Sequence, residues 1–591
     1  MSAVLSDKQE QTRLGHVLQI CLLASLKVYL QLRISTSELH FMAPTFHQPL
    51  LKSSKSPTSI SLCSIIFIAA TLFAIATFTF RLADVRSSPS ISLQNICNHA
   101  HDVKESCQAI ISGLSLQNAE NSNPESVLHE LLVDSTVRLH EAARKAKRVS
   151  LKLNEKTQKA ALDVCLDLMD LSRDRIMESM VALRSGAYAD AHTWLSTVLT
   201  NHITCSDELP GQAKKEMEME MELMDLTLRA RTALAVFVSA YPTSSRKEGL
   251  PFSMQSGFPS WLTSKDRKLL ESSSRNIVAN VVVAKDGTGN YTNVTDAIAA
   301  APTNSKTRYV IYIRNGTYVE NLQLAKSLKN IMLLGDGMNA TVITGSLNVV
   351  DGSTTFNSAT VAAVGEGFMA QDIWFQNTAG AIKHQAVALR IGSDLSVINR
   401  CKIDAYQDTL YAHSNRQFYR DCNITGTVDF IFGNAAVVFQ NCKLIPRKPM
   451  EKQMNMVTAQ GRTDPNQNTA TSIQNCTIVA SDDLQAVIKN FSSYLGRPWK
   501  EYSRTVVMQS FIGDVIAPAG WTEWDGSFAL NTLYYGEYNN RGPGSNTSKR
   551  VTWSGYHIIT NWTEAQPFTV AALIQGDTWL NSTGVPFTSG L

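Results

Sequence analysis

The chain has 591 residues, which is enough for two to four domains at about 150 residues each. Its 54 Lys and Arg nearly balance its 51 Asp and Glu. A net charge of +3 on this length argues against nucleic-acid binding driven by overall positive charge. Hydrophobic residues make up 44% of the chain, which disfavours long intrinsic disorder and provides for a large core.

An uncharged apolar run covers residues 61–80, SLCSIIFIAATLFAIATFTF. About 20 apolar residues are needed to cross a bilayer, so the run predicts a signal anchor or a signal peptide. Lys52 and Lys55 lie on its leading side, which predicts that the following chain is exported. A buried core helix is the alternative interpretation. We assign residues 1–85 to an N-terminal extension with this signal, so the precursor is membrane-anchored if the run is not cleaved.

The residues ahead of the run contain a second candidate start. Met42 opens the short basic segment MAPTFHQPLLKSSKSP, placed where a signal requires its charged leader. We therefore expect translation to begin at Met42, with residues 1–41 an extension of the gene model.

Residues 86–241 show the apolar spacing of amphipathic helices. Apolar residues recur every three or four positions, and few Gly or Pro interrupt them, over Ser126–Val149, Ala160–Leu183 and Gln212–Ala240. The pattern predicts an antiparallel four-helix bundle. The acidic stretch Glu216–Asp225 is interpreted as a solvated helix face with Met packed inward, not as a metal site.

Cysteine content fits an exported chain, in which thiols oxidise. Cys97 and Cys107 would tie an N-terminal hairpin, and Cys165 and Cys205 would tie two neighbouring helices. No CxxC pairs occur, so a zinc site is a poor interpretation. Ten glycosylation sequons also fit a secretory route: Asn290, Asn293, Asn315, Asn339, Asn423, Asn475, Asn490, Asn546, Asn561 and Asn581.

Residues 242–275 change in composition and predict an exposed linker, because Pro, Ser, Gly and scattered basic residues replace the helical pattern. Within it, residues 267–270 read Arg-Lys-Leu-Leu, which is a candidate processing site for a protease. A basic surface turn is the competing interpretation.

The remainder, residues 276–591, consists of short β-runs separated by Gly, Asn, Asp and Ser, with no alternating amphipathic helices. This leaves a sandwich, a propeller or a coil of stacked strands. A parallel β-helix repeats about every 20–25 residues. Polar residues recur at intervals within that range at Gln385, Gln407/Asp408 and Asp429. The spacing therefore favours a β-helix that stacks these side chains on one surface.

Asp408 and Asp429 are candidates for acid–base chemistry. Asp429 lies among Phe and Ile, where an ionised carboxylate is costly without a partner. Two carboxylates on adjacent coils would couple, so that one holds its proton more tightly and the pair supplies an acid plus a base or nucleophile. The alternative is that both cap turns or pair with Arg.

A series of motifs across residues 276–591 resembles plant pectin methylesterases. The motifs occur in order as GNYTNVTDAI, RNGTYVEN, GDGMNATVITG, GSTTFNSAT, QAVALR, AYQDTLYAHSNRQFYR, GTVDFIFGNA and LGRPW. The helical region and its four Cys resemble the pectin methylesterase inhibitor that precedes the enzyme in many plant members. This resemblance implies a region that inhibits the enzyme or controls its export. Residues 267–270 then resemble the processing motif between the two.

The resemblance implies a right-handed parallel β-helix and an aspartyl esterase mechanism that needs no metal or organic cofactor. Asp429 is the implied nucleophile and Asp408 the implied acid–base group. Gln385 and Gln407 are implied to stabilise the oxyanion, and Arg497 in LGRPW to orient the nucleophile. No GxSxG elbow is present, which argues against a serine esterase.

Further substrate contacts are implied for Thr355 in GSTTFNSAT and for Trp499 in LGRPW, beside Gln385 and Arg497. Tyr411 and Phe432 are possible aromatic contacts, with coil packing an equal alternative. Two histidines lie near the motifs, His384 and His413, and either could be considered as a general base. We do not assign them this role, because the two Asp already supply the acid–base group and the nucleophile.

Cysteine spacing in the β-rich part allows two further bridges. Cys401 and Cys422 are separated by about one coil, so a disulfide Cys401–Cys422 could join neighbouring rungs. A disulfide Cys442–Cys476 would span a longer stretch of chain.

The expected partners are methyl-esterified pectin, a processing protease, and an inhibitor-like domain in cis or separate inhibitor proteins. We expect a monomer, secreted to the cell wall, that binds no nucleic acid. Two other functions compete. One is a pectin-cleaving β-helix glycosidase or lyase, since paired carboxylates also serve glycoside hydrolysis. The other is a non-catalytic regulator that acts through the helical bundle.

Overall fold

The computed structural model describes residues 96–114, 123–209, 218–242 and 278–591. The apolar run 61–80, the candidate start Met42 and the processing motif 267–270 lie outside the described residues. In the part of the chain that is described, no helix has the length and hydropathy of a bilayer span. The described residues belong to one compact unit, Ser88–Leu591.

The first part, which we call the helical region, opens with a 3₁₀ turn, Cys97–Val103. Its α-helices are α1 Lys104–Ser112, α2 Pro124–Ser150, α3 Lys156–Ser185, α4 Tyr188–Glu208 and α5 Glu220–Ala240. Helix α2 begins where the Asn123 side chain accepts a hydrogen bond from the Ser126 amide, with proline at the first position. Helix α3 ends at Gly186, whose left-handed backbone (φ 77°) favours glycine.

Helices α2 to α5 share one apolar core. Two disulfides tie this region, Cys97–Cys107 and Cys165–Cys205, and both join the residues expected from the sequence. The second holds α3 against α4.

The second part, which we call the β region, is built from short strands in three parallel sheets, with strands numbered along the chain. Sheet A contains β1 Val281–Val283, β2 Tyr309–Ile313, β5 Ile331–Gly335, β8 Met369–Gln371, β11 Ser396–Asn399, β14 Arg416–Arg420, β17 Ala436–Gln440, β20 Ala470–Gln474, β23 Arg504–Met508, β25 Tyr534–Tyr538 and β26 Tyr556–Ile559. Sheet B contains β3 Gly316–Val319, β6 Thr341–Gly345, β9 Trp374–Asn377, β12 Lys402–Asp404, β15 Asn423–Gly426, β18 Lys443–Pro446, β21 Thr477–Ile478 and β24 Phe511–Ile512. Sheet C contains β4 Leu322–Leu324, β7 Val361–Ala363, β10 Leu389–Ile391, β13 Leu410–Ala412, β16 Ile431–Gly433, β19 Asn455–Gln460 and β22 Ser493–Gly496.

These sheets form a parallel β-helix. Strands of sheet C pair in register, with Leu389 opposite Leu410 and Leu410 opposite Ile431, so that equivalent positions recur once in each coil. Side chains alternate across each strand, and the inward ones fill a continuous apolar core. The coil that the polar spacing predicts is therefore present.

Short helices complete the β region: α6 Val294–Ala299, α7 Asp482–Gln485, α8 Trp562–Ala565, α9 Val570–Ile574 and α10 Gly576–Trp579. Buried residues of α9 and α10 pack with outward residues of sheet A, including Val397 and Phe418. The outer face of sheet C packs instead against the helical region, since Ala362, Tyr411 and Phe432 join that region's apolar core.

The expected bridges Cys401–Cys422 and Cys442–Cys476 are not formed, and all four residues are buried free thiols. Each precedes an in-register strand of sheet B, so the four side chains stack one coil above another. Stacked parallel strands lie about 4.8 Å apart, whereas a disulfide needs Cβ atoms about 3.8 Å apart. The sequence spacing correctly placed Cys401 and Cys422 on neighbouring coils, but it does not give the distance between their side chains.

Candidate active site

Asp408 and Asp429 occupy equivalent turns on successive coils, just before β13 and β16. The Asp408 amide donates to the Val428 carbonyl at 3.0 Å, which sets the two turns side by side. Both residues have left-handed backbone, with φ of 62° and 49°, and a short polar side chain tolerates this conformation. The residues are 7% and 5% exposed.

Arg497 fixes the orientation of the Asp429 carboxylate. Its Nε donates to Oδ1 at 2.9 Å and its Nη2 to Oδ2 at 2.7 Å. This two-pronged pairing sets the plane of the carboxylate and favours its ionised form. The guanidinium in turn lies over the Trp524 ring, 4.2 Å from the ring centre.

The two carboxyl groups differ in acidity. Burial raises the pKa of Asp408 well above its ordinary value, and the neighbouring Asp429 charge raises it further. Burial also raises the pKa of Asp429, but the hydrogen bonds and charge of Arg497 oppose that shift. Of the two groups, Asp408 therefore has the stronger tendency to be protonated and Asp429 the stronger tendency to be ionised.

Two carboxamide side chains lie beside the pair, Gln407 on the coil of Asp408 and Gln385 on the coil before it. Gln407 directly precedes Asp408, and its carbonyl accepts a hydrogen bond from the Ala386 amide at 3.3 Å. That contact sets Gln385 on the coil next to Gln407, and both are half-buried. Neutral amide donors in such a row suit an oxyanion that forms and then collapses.

An apolar surface, which we call the aromatic floor, consists of Tyr411, Phe432 and Trp499. The rings of Tyr411 and Phe432 stack with centres 4.1 Å apart, and Trp499 meets Phe432 edge-on at 5.9 Å. Gly461 makes room for the indole, because a Cβ there would lie 2.7 Å from Trp499 Cε3. Thr355 is half-buried at the start of a 3₁₀ turn, Phe356–Ser358.

The helical region contacts the surface around this site through the end of α4. At the end of α4, Asp207 accepts from Lys500 at 2.8 Å, and Glu208 accepts from the Phe356 amide at 3.1 Å. Both contacts reach residues beside the aromatic floor, next to Trp499 and Thr355. Tyr411 and Phe432 of the aromatic floor also join the apolar core of the helical region.

The contact extends away from the carboxylates along α4. Trp194 Nε1 donates to Asp394 at 3.0 Å, and Asp190 accepts from Arg416 at 2.7 Å. Arg416 also pairs with the fully buried Asp394, so the two helical side chains join an existing ion pair.

Neither nearby histidine is arranged as a base. His413 is buried with Nε2 2.9 Å from the Thr204 hydroxyl of α4, and burial lowers its pKa to about 3. His384 is exposed at the end of the 3₁₀ turn Ala381–Lys383. Among the described residues, no group of three or more acidic, His or Cys side chains could hold a metal ion.

Three residues that contact this site were not predicted as site residues: Arg390, Trp524 and Glu208. Arg390 ends the motif QAVALR, so the sequence did hold a local signal for it. Trp524 lies outside the motif that contains Arg497, and Glu208 lies in another region. Only the folded chain brings these two to the site.

Family models match both regions of the chain. The model described as Pectinesterase matches residues 280–577, and the model described as Plant invertase/pectin methylesterase inhibitor matches residues 92–236.

Similar proteins match nearly the whole length. The chain is 53% identical over 557 residues to "Pectinesterase/pectinesterase inhibitor 18" of Arabidopsis thaliana, covering 92% of this chain and 99% of the relative. It is 54% identical over 549 residues to "Pectinesterase 1" of Solanum lycopersicum, with the same coverage. Among solved structures, "Pectin methylesterase from Carrot" is 65% identical with a TM-score of 0.53, covering 53% of this chain and 99% of that one.

Proposed function

Because the chain belongs to the pectinesterase family, as a carboxylic ester hydrolase with an inhibitor-like region in cis, we propose that Asp429 and Asp408 hydrolyse pectin methyl esters through an acyl-enzyme. The observation that carries this proposal is the asymmetry of the pair. Arg497 favours the ionised form of Asp429, whereas burial and the Asp429 charge favour the protonated form of Asp408.

In the first step, an Asp429 oxygen attacks the C6 ester carbonyl of a galacturonate unit and forms a tetrahedral oxyanion. Gln385 and Gln407 donate hydrogen bonds to that oxyanion. When it collapses, the bond to the methoxy oxygen breaks, and Asp408 gives its proton to the departing oxygen, releasing methanol.

In the second step, the ionised Asp408 takes a proton from water. The resulting hydroxide attacks the acyl carbonyl, freeing the Asp429 carboxylate and a galacturonic acid unit. Asp408 is protonated again, so the enzyme returns to its starting state. Substrate is positioned by Thr355, Gln385, Arg497 and Trp499, with Tyr411 and Phe432 beneath the chain.

The test is methanol release by Asp429→Asn. Asparagine keeps the shape and tolerates the left-handed backbone, so the variant should fold, yet it lacks a nucleophilic oxygen. We expect a loss on the order of 10³-fold or more. Asp372→Asn is the matched control, because Asp372 also has φ of 58° and pairs with both prongs of Arg400. Methanol release by Asp429→Asn at the control's rate would refute the assignment.

We propose further that the helical region is a four-helix bundle of the inhibitor type that silences the carboxylate pair in cis. Its support is the position of α4, whose Thr204, Asp207 and Glu208 reach His413, Lys500 and Phe356 around the site. A pectin chain and these side chains would compete for one surface.

The remaining organisation is proposed from the sequence: an N-terminal segment 1–85, the bundle 86–241, a linker 242–275 and a right-handed β-helix 276–591. A protease that cuts at residues 267–270 would release a monomeric catalytic chain into the cell wall. Sequencing the N-terminus of the active species tests this, since a start before residue 242 would contradict it.

A further inference from the structure

Arg390 is a buried arginine on the outward face of sheet C. Its neighbours on β10, Leu389 and Ile391, point into the coil core, so the Arg390 side chain points out toward the helical region. It is 3% exposed. Its Nε donates to the Phe356 carbonyl at 2.9 Å, and its guanidinium carbon lies 3.4 Å from the centre of the Phe356 ring.

This guanidinium is only partly satisfied. Nη2 makes one long contact of 3.4 Å to Gln323, and the buried Nη1 has no hydrogen-bond partner among the described residues. Burial lowers the pKa of Arg390 to about 10, with Glu208 and Asp167 opposing the shift from a distance. Leaving a buried charged donor unpaired is costly.

Two other buried arginines of the β region are paired with carboxylates, whereas the side chain of the buried Arg462, within the described residues, bonds only the backbone carbonyls of Gln467 and Pro465. Arg416 is bonded to Asp394 and Asp190, and Arg550 is bonded through Nε and Nη2 to Glu537. Arg390 has the geometry of a group whose anionic partner is absent.

Arg390 lies in line with the aromatic floor. In register, Arg390 stands opposite Tyr411, and Tyr411 stands opposite Phe432. Arg390 is thus one coil from Tyr411 and two coils, roughly 10 Å, from Phe432. Without the helical region over it, its free donors would face the surface on which the substrate lies.

We propose that Arg390 binds the free carboxylate of a galacturonate unit near the ester being hydrolysed, so that it selects pectin already partly de-esterified. A planar guanidinium matches a carboxylate with two parallel hydrogen bonds, and each turnover creates such a carboxylate on the chain. The proposal rests on the proposed function in one respect, namely that pectin lies along the surface that holds the aromatic floor. In the covered chain, Glu208 supplies negative charge near this position.

The test uses the chain 276–591, because the carrot relative was solved as a catalytic chain alone. Methanol release is measured on methyl oligogalacturonates of one length, either fully esterified or carrying free carboxylates at alternate units. For Arg390→Gln, we expect the ratio of kcat/KM on the partly de-esterified substrate to that on the fully esterified one to fall about 10- to 100-fold. Arg390→Lys keeps a charge without the fork and should restore part of the ratio.

Arg504→Gln is the matched control. Burial also lowers the pKa of Arg504 to about 10, but this residue lies on β23 of sheet A. We expect its ratio to equal that of the unmodified chain. The proposal would be overturned if Arg390→Gln left the ratio of kcat/KM values unchanged. This includes the case in which kcat/KM falls by the same factor on both substrates.

A second measurement tests the proposal if Arg390→Gln folds poorly. Fully de-esterified oligogalacturonate should inhibit the unmodified chain competitively, and Arg390→Lys should raise the inhibition constant at least severalfold. Inhibition unchanged in Arg390→Lys would also overturn the proposal. Failure of the proposed function would look different, since the unmodified chain would then release no methanol from either substrate.

Discussion

At the scale of single residues, Arg497 decides how Asp429 differs from Asp408. Both carboxyl groups are buried, and burial raises the pKa of both. Only Asp429 has the two hydrogen bonds of a guanidinium. The proposed roles of nucleophile and acid therefore depend on the side chain of Arg497, which need not touch the reacting bond.

Arg497→Lys is predicted to move the pH dependence of methanol release. Arg497 opposes the rise in the pKa of Asp429, so a lysine without the fork leaves that pKa higher. Activity requires ionised Asp429, so the acid limb of the kcat/KM profile should shift to higher pH, with a lower maximum. Arg400→Lys, which alters the comparable pair with Asp372, serves as the control. An unshifted acid limb in Arg497→Lys would argue against the role given to this pair.

Gly461→Ala is predicted to weaken substrate binding. The new methyl group would lie 2.7 Å from Trp499 Cε3 and would displace the indole from the aromatic floor. We expect KM to rise severalfold with a smaller effect on kcat, as measured by methanol release. Gly590→Ala is the control, because a Cβ there meets nothing within 4 Å. Equal KM values in the two variants would mean that Trp499 does not contact substrate.

Residues that stand in local motifs could be selected from the sequence as candidates for one site. Asp408, Asp429 and Arg497 stand in motifs long enough to be identified, and the structure brings them together. Selection from the sequence failed for Glu208, because nothing in the sequence near residue 208 indicates the surface against which it lies. The thiol pairing failed because spacing fixes the coil but not the distance between stacked side chains.

At the scale of elements, α4 packs against both the helical region and the β region. Cys165–Cys205 and the shared apolar core hold it in the helical region, while Trp194, Thr204 and Glu208 contact the β region. Most of its residues are buried, including many Ser, Thr, Asn and His. Both faces are covered, so the apolar period of an amphipathic helix is weak here, although α4 lies within the region predicted to be helical.

Glu208→Gln is predicted to reduce the pH dependence of silencing in the intact chain. Burial raises the pKa of Glu208 in the covered state, while Thr354, the Phe356 amide and Arg390 oppose the rise and Asp207 adds to it. Covering the site thus costs free energy while Glu208 is ionised, and the cost disappears as pH falls through the raised pKa. Silencing should strengthen at low pH in the unmodified chain and change less in Glu208→Gln. Methanol release across pH measures this, and identical profiles would contradict it.

At the scale of the whole molecule, the β-helix supplies a rigid row of positions and the helical region supplies a cover. The coil repeat sets the catalytic groups on adjacent coils, and this much of the architecture followed from sequence spacing. The position of the helical region against sheet C did not follow from sequence spacing, because contacts such as that of Trp194 with Asp394 join residues 200 positions apart. No local pattern encodes such a pairing.

The most direct test of this account compares methanol release from methyl-esterified pectin by the intact chain and by the chain 276–591, at equal concentration. The account predicts that the chain 276–591 releases methanol at least tenfold faster than the intact chain, and that Asp429→Asn abolishes release by the chain 276–591. Equal rates from the intact chain and the chain 276–591 would contradict the covered site, and undiminished release by Asp429→Asn would contradict the carboxylate pair beneath it.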